Sequence, residues 1–69
     1  MKLSARNQLP AKVTKISEGA ATANVELDVN GLRLVASITV EAAQELGLGE
    51  GSDVTAIVKA SDVILATAD

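Results

Sequence analysis

The chain has 69 residues, a formal net charge of −3, nearly half its residues apolar and none aromatic, cysteine or histidine. That length allows one small domain, over residues 1–69, whose core supplies only about 3–5 kcal/mol. Disulfide staples and an ordinary zinc site are excluded, which leaves self-association as the supplement. An acidic chain without stacking rings is a poor partner for nucleic acid. The apolar runs are too short to span a membrane, and the N-terminus has no signal-peptide core, so no membrane partner and a cytoplasmic location are expected.

In chain order, Leu3 and Ala5 alternate with Lys2, Ser4 and Arg6, the period of a strand. Ser4 and Arg6 then share a face and can converge on one ligand, or form a solvated strand edge. Pro10 removes a backbone donor, which predicts a bulge or an edge position. Beyond it Ala11 and Val13 face one way, and Lys12, Thr14 and Ile16 the other, up to a turn at Ser17-Glu18-Gly19. A long bent first strand over residues 3–16 is the expectation.

Ala23, Val25, Leu27 and Val29 alternate with Asn24, Glu26 and Asp28, the clearest half-buried strand. Asn30-Gly31 follows, the strongest short-range signal for a type I′ hairpin. On the return strand Leu32, Leu34, Ala36 and Ile38 share a face, and Arg33 opposes Glu26 or Asp28 in a solvated pair worth little. Thr39 then caps a short helix with an apolar stripe of Val40, Ala43 and Leu46, ending at Gly47. Thr39 has two readings, as a cap alone or as part of an anion site at the helix start. The glycines of residues 47–52 follow a helix rather than a strand and lack a following Lys-Ser/Thr, so they read as a C-cap and turn, not a phosphate loop. Two last strands, 54–59 and 63–67, join at Ala60-Ser61-Asp62 and carry apolar residues on both faces, which argues for a subunit interface. Ser61 also suits plain turn chemistry.

The fold so predicted is all-β, a five-stranded OB-like Greek-key barrel with one short helix between strands three and four. Ser4, Arg6, Lys59 and Ser61 are all hydrogen-bond donors, two of them cationic, the set needed to hold an oxyanion out of water. No base–nucleophile pair accompanies them, so the expected mechanism is binding, without enzymatic activity.

Residues 4–8 (Ser-Ala-Arg-Asn-Gln), 36–48 and 54–63 together resemble the molbindin, or Mop, domain, in order and over almost the whole chain. The resemblance implies a cytoplasmic molybdate- and tungstate-binding protein serving molybdenum storage and homeostasis. It also implies a strand-exchanged hexamer, a trimer of dimers, with the metal bound only as its oxyanion between subunits and no organic cofactor. By position the anion contacts would be Ser4, Ala5, Arg6, Thr39, Lys59, Ala60 and Ser61, with Asn7, Ser37 and Ala42 as possible second-site residues. The chain departs from the family pattern in two places. Pro10 and Ala11 stand where a basic residue and Gly are common, and Ala42 stands where related domains offer a hydroxyl. The competing expectation is an assembly module of OB-like fold that carries no ligand.

Overall fold

The computed structural model describes residues 2–68; Met1 and Asp69, the ends of the expected 1–69 domain, lie outside the described residues. Strands β1 (Asn7–Glu18), β2 (Thr22–Val29) and β3 (Leu32–Thr39) are followed by helix α1 (Val40–Glu45), strand β4 (Asp53–Val58) and a 3-10 turn (Ala60–Asp62). The strands form one antiparallel sheet in the order β3-β2-β1-β4. The domain is thus all-β with one short helix, as expected, but it has four strands in an open sheet rather than five closed into a barrel.

Two segments expected to be strand, at residues 3–6 and 63–67, are not strand. Residues 2–6 precede β1, with bends at Ser4 and Arg6, because β4 stops at Val58, opposite Asn7. Ser4 and Arg6 therefore do not share a strand face. Residues 63–68 follow the 3-10 turn without regular structure, and Ile64 and Leu65 are 92% and 88% exposed. Alternation gives a segment a face to bury, but a strand forms only against a partner's backbone.

β1 organises the sheet. Its first half, Asn7 to Lys12, pairs with β4, and its second half, from Lys12, pairs with β2. Pro10 pairs with Thr55 where β1 has no β2 neighbour, so its missing N–H falls on an open side and the edge expectation holds there. The bulge lies elsewhere. The register with β2 slips between Val13 and Lys15, leaving Thr14 unpaired in the ladder with its Oγ1 donating to the Glu26 carbonyl at 3.1 Å. The extra residue shifts the alternation by one, so Ile16 packs with Ala11 and Val13 instead of facing away with Lys12. The strand also continues through Glu18, and the turn is at residues 19–21, closed by Gly19 N–H on the Thr22 carbonyl at 2.8 Å.

The hairpin between β2 and β3 forms as predicted. Asn30 and Gly31 have φ of 51° and 91°, the pair of positive values of a type I′ turn, and Gly31 N–H donates to Asp28 Oδ1 at 3.1 Å. With Asp28 so engaged, Arg33 turns to Glu26, its Nε 2.8 Å from Oε1. In α1 only Ala43 is buried; Leu46, expected on the apolar stripe, is the C-cap and is 69% exposed. Loop 46–52 then returns to the middle of β1, where Gly51 N–H donates to the Val13 carbonyl at 2.8 Å and Val13 N–H to the Ser52 carbonyl at 2.9 Å. Gly49 N–H is taken up by Ser52 Oγ at 2.9 Å. These bonds extend the β1–β4 ladder and turn the glycine amides inward, in keeping with a turn rather than a phosphate loop.

The core is Ala11, Val13, Val25 and Leu27, and among the described residues just Val13 and Val25 are fully buried large side chains. Beside it lies an open apolar groove of ≈ 450 Å³, lined in part by Leu34, Ala36, Ile38, Val54 and Ala56.

Candidate functional site

The β1–β4 ladder ends at the pair Asn7–Val58. The strands are antiparallel, so the residues continuing outward from that pair are Arg6 on one side and Lys59 on the other. Two steps further are Ser4 and Ser61. The two donor runs picked out of the sequence thus leave the sheet from one rung, at one end. Arg6 and Lys59 are both exposed, so neither cation is committed to the core.

Each side of this junction has its own local cause. On the N-terminal side, bends at Ser4 and Arg6 take the chain off the strand path, with Ala5 half-buried between them. On the other, Lys59 keeps extended backbone (φ −62°, ψ 140°) and leads into the 3-10 turn, whose bonds run from Asp62 N–H to the Lys59 carbonyl at 2.9 Å and from Val63 N–H to the Ala60 carbonyl at 3.3 Å. A turn of i→i+3 bonds does not use its own first N–H groups, and Ala60 and Ser61 hold those positions. Asn7 is half-buried, and its Nδ2 donates to the Val58 carbonyl at 3.1 Å.

Thr39, Ser37 and Ala42 lie elsewhere. Thr39 pairs with Thr22, next to the contact between Ala23 and Glu18, so this group is at the opposite end of β1 from Asn7. Thr39 Oγ1 accepts from Ala42 N–H at 3.0 Å, which is N-cap geometry and uses the Ala42 amide. The hydroxyl proton of Thr39 remains a donor. Ser37 is exposed on β3 opposite Asn24.

The described residues hold no cluster of three or more His, Cys, Asp or Glu side chains suited to a metal cation. What the Arg6–Lys59 end offers instead is a guanidinium fork, an ammonium, two hydroxyls and turn amides, all donors, suited to acceptor oxygens carrying negative charge. Asn7, expected as a possible second-site residue, stands on the last rung itself. Its bond to Val58 depends on the pairing of residues 51 positions apart, which no local pattern encodes.

A profile of the TOBE domain matches residues 3–65. Molybdenum-pterin-binding protein 2 of Clostridium pasteurianum is 41% identical over 66 residues, covering 94% of this chain and 97% of that protein. A molybdate-binding protein from Sporomusa ovata, solved at high resolution, superposes with a TM-score of 0.93 at 40% identity, over 97% of this chain and 100% of that one. The cytoplasmic molybdate-binding protein ModG, crystallised with molybdate bound, gives a TM-score of 0.84 at 43% identity, over 87% of this chain and 43% of the ModG chain. The matched span, the identity and the superposed fold agree: the chain belongs to the TOBE-domain family and, within it, to the molbindin (Mop) proteins.

Proposed function

We propose that this protein binds molybdate, and tungstate by the same chemistry, as a tetrahedral dianion held at subunit interfaces for molybdenum storage and homeostasis in the cytoplasm. The observation that carries the reading is the Asn7–Val58 rung, beyond which Arg6 and Lys59 are the next residues on the two segments. The relatives' molybdate supports the choice of anion. Two cations balance the double charge, and the hydroxyls of Ser4 and Ser61 with the amides near Ala5 and Ala60 replace the anion's water shell. The relatives' names also speak of a pterin. With no Phe, Tyr or Trp to stack on such a ring, the oxyanion is the better fit to this chain. The role is binding, with no chemical step and no organic cofactor.

The unit is one Mop domain over residues 1–69, assembled as a hexamer built as a trimer of dimers. Thr39, with Ser37 and Ala42 near it, stands at the far end of β1 from Arg6, so it joins the same anion only when a second chain brings it there. The open groove and the exposed Val63, Ile64 and Leu65 supply the apolar surface for such an exchange of strands. Equilibrium dialysis of the assembled protein against tungstate tests the reading. Saturable uptake supports it, and no uptake by a correctly assembled protein leaves an assembly module without a ligand.

A further inference from the structure

Asn7 holds the site together from outside it. The atom facing the Val58 carbonyl must be the amide nitrogen, since an oxygen there would set acceptor against acceptor. The Val58 carbonyl and the Lys59 N–H belong to one planar peptide, so fixing the carbonyl fixes the plane from which Lys59 departs. In the same way the Asn7 N–H shares its peptide with the Arg6 carbonyl. The side-chain bond therefore joins the two arms at their roots, one residue inside each cation. Ladder ends fray, and two neighbouring cations repel when no anion lies between them, so this is where the sheet most needs a fastening.

Resting on the proposed anion site, we infer that Asn7 is a positioning residue for it, not a ligand: its Nδ2 bond to Val58 holds Arg6 and Lys59 at the spacing that one tetrahedral dianion bridges. The competing role is a direct contact, through the second Nδ2 proton or after the amide swings off Val58.

The test uses the assembled full chain with tungstate as probe. Asn7→Ala removes the fastening, and titration calorimetry should show tungstate affinity about 10- to 100-fold lower, the usual effect of losing a group that orients a ligand. The ligand-free melting temperature and the oligomer mass should stay near those of the unsubstituted protein. A purely architectural role would instead lower melting temperature and affinity together. Unchanged affinity in a folded Asn7→Ala protein overturns the inference. A direct contact would weaken binding in the same way, so a tungstate-bound crystal of the unsubstituted protein decides whether or not the variant assembles: Nδ2 still on the Val58 carbonyl and out of reach of the anion supports positioning, and Nδ2 on a tungstate oxygen overturns it. If the unsubstituted protein takes up no tungstate, the anion site itself fails and this inference with it. Binding at Arg6 with full affinity in Asn7→Ala fails this inference alone.

Discussion

Asn7 and Val58 face each other on the last rung of the β1–β4 ladder, and the Asn7 Nδ2 reaches across to the Val58 carbonyl at 3.1 Å. The residues next beyond that pair are the two cations, Arg6 and Lys59.

Arg6→Ala should abolish anion-induced stabilisation and leave the oligomer intact, because Arg6 is exposed and outside the core. In the unsubstituted protein, tungstate or molybdate at about 100 times Kd adds about 2.7 kcal/mol per site. For a domain of this size that raises the melting temperature by on the order of 10 °C. Sulfate and phosphate should give smaller shifts in the same thermal scan; equal shifts from all four anions would reject selectivity.

Thr39 can be separated into its two roles. Thr39→Ala loses the cap on Ala42 N–H and should cost about 1 kcal/mol in chemical denaturation, whereas Thr39→Ser keeps the hydroxyl and should cost little. A role at the anion predicts weaker tungstate binding for Thr39→Ala beyond that stability loss. Calorimetry that shows equal affinity for both variants would confine Thr39 to capping.

Val25→Ala should be far more damaging than any site substitution. Val25 is 2% exposed and is one of two large side chains fully buried in the chain's described residues. Its truncation should cost about 2 kcal/mol, against a core contribution of about 3–5 kcal/mol. Urea denaturation at fixed protein concentration would show the midpoint falling steeply, and a change under 0.5 kcal/mol would mean the core lies elsewhere in the assembled particle.

Ile64→Glu together with Leu65→Lys should break the assembly while leaving the sheet of each chain formed, since both side chains project almost wholly into solvent in the single chain. Light scattering should report a smaller particle and circular dichroism an unchanged strand content. A particle of the original mass would remove residues 63–68 from the interface.

Local pattern carried the hairpin and the helix start. Ala23, Val25 and Leu27 are buried in strict alternation, Asn30 and Gly31 take the φ values that only such residues adopt readily, and Thr39 caps the helix. The failures share a cause. Thr14 is an ordinary strand residue, and its bulge follows from fitting β1 to β2 while the loop at Gly51 and Ser52 docks on Val13. Residues 63–66 are apolar throughout, which suits a strand buried on both faces, yet they form none, because pairing is set by the rest of the sheet and not by local pattern. At the site, the residue types were readable, but the adjacency of Arg6 and Lys59 is a property of register across the sheet. The identity of the anion came from resemblance rather than from spacing.

The unpaired Thr14 also sets how β1 tolerates changes of length. Deleting that single residue would close the bulge and leave Val13–Leu27, Lys15–Glu26 and Ile16–Val25 as consecutive pairs, with Lys15 still outward and Ile16 still on the core side. A one-residue gap at Thr14 thus spares the buried side of β1, and aligned relatives can differ by a single residue at this point while burying the same positions.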